Sequence, residues 1–447
     1  MNSSIYPAIP NSNLAIIGSG IAGMSAAWLL SSSHQVTVYE RNNRLGGHSH
    51  TVDAPGPDGP IPVDTGFIVY NEKNYPNLTS LFHHLSVCST ESEMSFAASL
   101  RNGTFEYSGS DLNGLLGQRA NILKPRFWRM VADLLRFYRE APEFINNCND
   151  ESISLAEYLQ RFGYSEAFLN DHLFPMGAAI WSTSAAQMAK YPAAAFIRFF
   201  VSHGLLELRG RPQWRTVEGG SRAYVKKLCA SFAQQVIYQG AVRVMRDASG
   251  VTVIDDAGSS RRYDHVIFAT HADEALNLMD DADGLERELL GCWRYTQNRA
   301  VLHRDLSLMP RRKRVWSSWN FIDGGNEDEL LCVTYWMNKL QSLSLEEPLF
   351  VTLNPVREPK EGTIIGEYDY RHPYFNASAM ASQARLWSLQ GRRRSWFCGS
   401  YFGYGFHEDA LQSGLAVAEE LGGEARPWKF AKEHERFQRP PESQAAA

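Results

Sequence analysis

The stretch from Leu14 to Glu40 constrains the fold more than any other part of the chain. Leu14-Ala15-Ile16-Ile17 is a short apolar run of the kind a buried parallel strand requires. It leads into Gly18-Ser19-Gly20-Ile21-Ala22-Gly23, a G-x-G-x-x-G, and then into a helical pattern with Met24, Ala27, Leu29 and Leu30. Val36-Thr37-Val38-Tyr39 reads as a second strand and ends at Glu40. The spacing has a chemical reason. Gly18 permits a tight turn, Gly20 lets the backbone approach a pyrophosphate, and Gly23 lets the helix pack against the strand. The helix N-terminus, with Ile21 and Ala22, then offers free N–H groups to phosphates. Glu40 lies 22 residues after Gly18, where a carboxylate accepts from ribose hydroxyls. Strand, glycines, helix, strand and acid in that order predict a dinucleotide site. NAD and FAD both satisfy it.

The 447 residues exceed one ordinary domain of about 100–200, so two domains are expected. Lys+Arg 44 against Asp+Glu 49 gives a net charge of −5, without the basic excess of a nucleic-acid binder. No apolar run reaches the roughly 18 residues of a spanning helix. The six cysteines include no C-x-x-C, which argues against zinc ribbons and thioredoxin-like pairs and for reduced thiols in a cytoplasmic protein. The first thirteen residues have no basic n-region or apolar h-region, so no signal peptide is expected.

Arg44-Leu45-Gly46-Gly47 follows Glu40 closely. This E-x-x-x-R-x-G-G string resembles the flavin amine oxidase superfamily, which includes monoamine oxidases, protoporphyrinogen oxidases and carotene desaturases. The resemblance implies FAD, with Arg41, Arg44, Gly46, Gly47 and His48 along its phosphate and flavin side. Val63-Asp64-Thr65-Gly66-Phe67 resembles the strand that returns beside the flavin, placing Gly66 and Phe67 there. Val217-Glu218-Gly219-Gly220-Ser221 resembles the second glycine pair, Gly219 and Gly220. Gln239-Gly240-Ala241-Val242 then supplies the strand, at Val242, whose backbone reads the adenine. Tyr263 to Thr270 resembles the strand ending in A-T-G, with Ala269 and Thr270 at the cofactor and His271 in place of the glycine. Trp396 to Ser400 reads as the last strand and brings Gly399 and Ser400. Gly405 to Gly414 resembles the "G-Y-x-E-G-A-x-x-S-G" helix start, where backbone N–H groups at His407 and Ala410 face the flavin and stabilise its reduced, anionic form. The chain departs from the family at Asp409, which replaces a glycine, at Ser400, which replaces an acid, and at His48, which replaces an arginine. Cys398 lies outside the flavin-linking pattern, so non-covalent FAD is expected.

A closer resemblance spans nearly the whole chain. GGHSHTVD, VDTGFIVYNEKNYPNL, PMGAAIWST, HGLL, RPQWRTVEGGSRAYV and WSSWN are similar to a bacterial group of amine-oxidase-like NAD/FAD-binding proteins. That group is related to the segment preceding the methyltransferase in plant cyclopropane fatty acid synthases. The resemblance implies an α/β fold: a discontinuous Rossmann-like FAD-binding domain (1–72, 210–290 and 390–430) with a mixed α+β substrate domain (73–209 and 291–389). It also implies redox work on unsaturated or methyl-branched acyl chains, with a fatty acyl or phospholipid substrate and a cyclopropane synthase-like methyltransferase as candidate partner. A flavin amine oxidase acting on a small amine and a redox-neutral acyl double-bond isomerase remain alternatives. The charged segment 432–447 is expected to be a flexible tail.

Residues 124–145 and 153–209 read as helices, and 295–370 as strands, with a turn at Asp323-Gly324-Gly325-Asn326. In the first helix, Lys124, Arg126, Arg129, Arg136 and Arg139 accompany Trp128, Val131, Leu135 and Tyr138. The pattern fits an amphipathic helix on the inner face of a membrane and equally a surface helix packed on the core. Ala193 to Leu208 reads as core or as the wall of an acyl tunnel. Candidate catalytic bases are His407, Glu408, Asp409 and His203. His48-x-His50 lacks a third ligand, so no metal site is expected. Trp181, Trp214, Trp316, Trp319, Tyr335 and Tyr401 could wall an apolar pocket.

Overall fold

A computed structural model describes residues 11–147, 153–208, 210–323, 331–344, 346–429, 431 and 435–437. The opening apolar run lies in the centre of a five-stranded sheet, Asn13–Ile17. The strand order is Val236–Ile237, Gln35–Tyr39, Asn13–Ile17, His265–Phe268, Ser395–Phe397, and all neighbours are parallel. Leu14, Ile16, Val266, Ile267 and Phe268 are wholly buried, as a parallel strand covered on both faces requires. Strands from distant parts of the chain thus bring residues 18, 269 and 399 to one edge.

The helix Ile21–Leu30 is apolar on nearly every side and packs against the final helix, His407–Glu420. Their approach requires glycine: a Cβ on Gly414 would fall 2.2 Å from the Ala22 carbonyl oxygen. Ala241–Asp247, Gly250–Asp255 and Ser260–Tyr263 form an antiparallel meander beside the parallel sheet.

The second body is a seven-stranded sheet in the order Ile364–Tyr374, Arg294–His303, Phe350–Leu353, Cys332–Trp336, Trp319–Ile322, Phe96–Leu100, Phe105–Ser108. The expected helices are found as Pro125–Asn147, Leu155–Arg161, Phe174–Trp181 and Ala193–Ser202. The two strands between residues 96 and 108 were not expected from the sequence. Phe96–Leu100 pairs in parallel with Trp319–Ile322, a partner more than two hundred residues away that no local pattern announces. Trp214–Val217 pairs with both Tyr70–Asn71 and Ser89–Ser92, a seam between segments that the sequence assigned to different domains.

The turn residues 324–326 and Cys148 lie outside the described residues. The five described cysteines are free. Among the described residues, no helix is long and apolar enough to cross a membrane. Within the segment expected to be a flexible tail, residues 435–437 are held in place. Arg436 pairs with Asp409 at 3.0 Å, and Phe437 stacks on Trp387 with ring centroids 4.5 Å apart.

Candidate cofactor and active site

The strand–glycine–helix turn has the geometry its sequence calls for. A Cβ on Gly18 would lie 2.7 Å from the Ala269 carbonyl oxygen, and one on Gly23 would lie 2.0 Å from the Gly18 oxygen. These two glycines let three chain segments meet. Gly20 differs: a Cβ there meets nothing within 4 Å, so it faces open space at the start of Ile21–Leu30. No side chain caps that helix and no acid occupies its first turn, which leaves its N–H groups to a ligand. Gly47 closes over the turn, with its Cβ position 3.0 Å from the Gly20 Cα. Gly46 N–H donates to the Ser19 carbonyl (3.0 Å), and Arg44 Nη1 ties the loop by donating to the Gly47 carbonyl (2.9 Å).

Glu40 is buried at the end of its strand. It accepts from Ser19 N–H at 3.2 Å and from the Asn42 backbone and side-chain N–H groups, each at 2.8 Å. Arg41 is directed outward to Glu274. Gly219 faces open space like Gly20, whereas Gly220 packs against Thr51, whose Cγ2 its Cβ would meet at 2.4 Å. Val242 is half-exposed at the irregularity between Ala241 and Arg243. Ala269 N–H donates to Ile17 across the sheet, and Thr270 is half-buried beside it. Gly399 N–H donates to Ser413 Oγ (2.9 Å), Ser400 begins the turn into the final helix, and Ala410 is buried in that helix's first turn.

At the other end, Gly66 and Phe67 return alongside His48. A Cβ on Gly66 would lie 2.2 Å from the His48 carbonyl oxygen, and Phe67 N–H donates to it at 2.7 Å. The Phe67 ring stacks on His407, centroids 3.9 Å apart and planes 11° apart. His407 Nε2 shares a 2.7 Å hydrogen bond with the Tyr224 hydroxyl, which in turn bonds Ser49. His48 faces His372 at 5.5 Å and His271 at 6.1 Å, and its Nε2 is buried with no hydrogen-bond partner. Buried polar atoms are ordinarily paired, so this nitrogen marks a place for a polar ligand. Two glycines facing open space, an uncapped helix start and an unpaired buried ring nitrogen fit a flavin dinucleotide. Among the described residues, no group of three or more His, Cys, Asp or Glu is placed to hold a metal.

Two of the expected bases are committed elsewhere. Glu408 is fully buried and accepts from Asn77 N–H (3.0 Å), Leu78 N–H (3.0 Å) and Gln412 Nε2 (3.0 Å), so it caps the neighbouring helix Pro76–His84. Asp409 accepts from Phe406 N–H (2.7 Å) and from Arg436. Both carboxylates hold the fold and neither is a free base, which corrects the expectation. His407 and His203 remain uncommitted at one nitrogen or paired only to a hydroxyl. Burial, with His48 nearby, pushes His407 down to about 3. Burial and Arg436 do the same to His203, also to about 3.

His271 and His372 are likewise lowered to about 3, by burial and neighbouring histidines. These rings stay neutral in the fold, whereas in the unfolded chain they titrate near 6.5. Below that pH the unfolded chain takes up protons that the folded one refuses. Their contribution to stability is therefore complete above about 6.5 and is lost as pH falls toward 3. Thermal melting should show a midpoint that declines steadily from pH 7 to pH 4. A profile flat over that range would show that the rings protonate freely in place.

The aromatic residues expected to form one wall are dispersed. Trp214 lies against Tyr75, Trp316 against Trp336, Trp319 against Tyr335 and Tyr401 against Trp293. Trp181 joins a cluster that reaches the start of the final helix, through Phe199 at 4.7 Å and from there Phe406 at 5.0 Å. Ala193–Ser202 is mostly core, with Phe196, Phe199 and Phe200 buried. Tyr224, Tyr370, His372 and Tyr191 were missed in the sequence. For two of them a signal existed: Tyr368, Tyr370 and His372 alternate along one strand face, and the Tyr370 hydroxyl bonds Thr65 at 2.6 Å.

The flavin containing amine oxidoreductase family profile matches residues 21–294. Among solved structures, the fold is similar to cyclohexylamine oxidase from Brevibacterium oxydans IH-35A, with TM-score 0.66 and 17% identity over 92% of this chain and 100% of that one. It is also similar to a CLA-producing fatty acid isomerase from P. acnes, with TM-score 0.62 and 16% identity over 91% and 98%. Putrescine oxidase bound to putrescine gives TM-score 0.64 and 16% identity over 93% and 99%. No curated protein matches the sequence. The profile match covers more than half of the chain, which therefore belongs to the flavin-containing amine oxidoreductase family, as an FAD-dependent oxidoreductase.

Proposed function

We propose that the protein desaturates or oxidises a fatty acyl lipid whose chain is unsaturated or methyl-branched. The observation that carries this reading is a set of unpaired polar atoms in one aromatic cluster. Trp181 Nε1, Tyr191 OH and His203 Nε2 are buried and have no hydrogen-bond partner. Trp181 contacts Tyr191 (4.8 Å) and Phe199 (4.7 Å), and Phe199 stacks on His203 (3.8 Å) and Phe406 (5.0 Å). Phe406 leads into the helix that carries His407.

Such a wall suits an apolar chain with one polar end group. The Trp181 N–H and Tyr191 O–H can donate to a carboxylate or carbonyl. The His203 Nδ1–H donates to the Phe199 carbonyl (2.9 Å), which leaves Nε2 as a neutral acceptor. An ammonium substrate would instead call for a carboxylate, and the nearby Glu408 and Asp409 are occupied. The whole-chain resemblance to the cyclopropane synthase-related group and the fold of a fatty acid isomerase support an acyl substrate. When bound, FAD supplies a hydride acceptor. The protein's share is to bind the chain, orient it and exclude water, with dioxygen or a quinone taking the electrons in the end.

The test is an anaerobic titration of the FAD-loaded protein with fatty acids and phospholipids, followed by mass spectrometry of the acyl chains. We expect loss of the flavin band near about 450 nm together with an acyl product lighter by two hydrogens. Trp181→Phe with Tyr191→Phe should raise the KM for the acyl substrate about tenfold while leaving FAD content unchanged, as loss of two modest hydrogen bonds implies. Bleaching by polyamines and not by lipids would overturn the reading in favour of amine oxidation. An acyl product of unchanged mass, formed without bleaching, would replace desaturation with isomerisation.

A further inference from the structure

We propose that one face of the substrate domain docks on an anionic phospholipid bilayer. The face is built from three elements along the edge strand Phe105–Ser108: the segment 112–123, the start of the helix Pro125–Asn147, and the turn Lys313–Val315. They form one rigid surface. A Cβ on Gly117 would fall 2.2 Å from Val315 Cγ1, so the 313–315 turn presses directly on the 112–123 segment. Trp128 Nε1 donates to the Ile122 carbonyl (2.8 Å), which pins the same segment to the long helix.

Two properties of the face coincide. Its tips are apolar and exposed: Leu112 at 77%, Leu123 at 86% and Trp128 at 48%. Single exposed leucines are ordinary, but several large ones grouped on one rigid face mark an interaction surface. Beside them is a concavity of about 540 Å³ lined by Gly117, Arg119, Arg312, Lys313 and Arg314. Arg312 is neutralised by the buried Glu106 at 2.7 Å, and no described carboxylate is in ion-pair range of Arg119, Lys313 or Arg314. This concentration of positive charge stands on a chain whose net charge is −5.

Protruding leucines and an indole next to unpaired cations match the layering of a membrane interface, with acyl chains at one depth and phosphates at the next. The exposed stripe of the long helix, Trp128, Ala132, Leu135 and Arg139, continues the pattern along its axis. The occupant this chemistry fits is the surface of a bilayer rich in anionic headgroups. The inference does not depend on the substrate reading, since binding is scored without turnover.

The experiment uses the full, FAD-loaded chain, sedimented with vesicles of phosphatidylcholine alone or mixed with phosphatidylglycerol. We expect partition onto the anionic vesicles at least about tenfold above the neutral ones, declining as salt is raised. Leu112→Asp with Leu123→Asp should lower that partition at least about tenfold, and Lys313→Glu with Arg314→Glu should abolish the preference for anionic lipid. FAD content and melting temperature of both variants serve as folding controls and should match the parent. Equal partition onto both vesicle types, or partition unaffected by either double substitution, would overturn the inference. So would a dimer in sedimentation velocity that Leu123→Asp dissociates, which would assign the face to a second copy of the chain.

Discussion

Gly20→Asp should yield a chain that folds as well as the parent and cannot hold FAD. Gly20 stands at the helix start with φ −63° and ψ 174°, a conformation open to any residue, and its Cβ would meet nothing within 4 Å. Aspartate is a favourable residue at a helix start, so the protein without cofactor should melt no lower than the parent. With cofactor, the new carboxylate occupies the space the pyrophosphate needs and repels it. A penalty of about 3 kcal/mol or more corresponds to at least about a hundredfold loss of FAD affinity. The neighbouring Gly23→Ala is the opposite case. Its Cβ would fall 2.0 Å from the Gly18 carbonyl oxygen, so the strand–helix turn itself must distort. Melting curves with and without FAD separate the two. If Gly20→Asp retains a full complement of yellow cofactor, the open space beside Gly20 is not the phosphate site.

Arg436→Met should destabilise the protein by about 3–5 kcal/mol, the usual cost of leaving a buried charge without its partner. Arg436 pairs with Asp409, which is completely buried, and its positive charge is held firmly by both Asp409 and Glu408. The same Asp409 accepts from Phe406 N–H, so the loss should be felt where the final helix begins. Urea unfolding measures the effect. Asp409→Asn in the Arg436→Met background should recover a substantial part of it, because the orphaned charge is then gone. A single substitution that costs less than about 1 kcal/mol would show that the pair is solvent-screened and contributes little.

Parts of this molecule are legible in local sequence, and others are not. The opening turn could be read because the spacing of its glycines is itself the signal: Gly18 and Gly23 have no room for a Cβ, and Gly20 leaves its side open to a ligand. The long helices could be read from their 3.6-residue periodicity. The strands Phe96–Leu100 and Phe105–Ser108 could not, since they are short and their sheet is completed by residues beyond 290. The carboxylates at the final helix misled for a related reason. Glu408 and Asp409 look like free acids in a helix-start motif, and only the fold supplies the Asn77 and Leu78 N–H groups and the Arg436 guanidinium that occupy them. The aromatic cluster behind the proposed substrate reading joins residues 181, 191, 199, 203 and 406, a grouping that no linear spacing reveals.

The order of the parallel sheet also bears on how the protein is made. The glycine turn emerges from the ribosome long before the strand Ser395–Phe397, the final helix and Arg436. A nascent chain therefore carries half of a cofactor cradle while the seven-stranded sheet is being made, and cannot complete it until the final helix has emerged. Messages cut short before the codons for His407–Glu420 would consequently give products without a prosthetic group, even though every residue of the glycine turn is present.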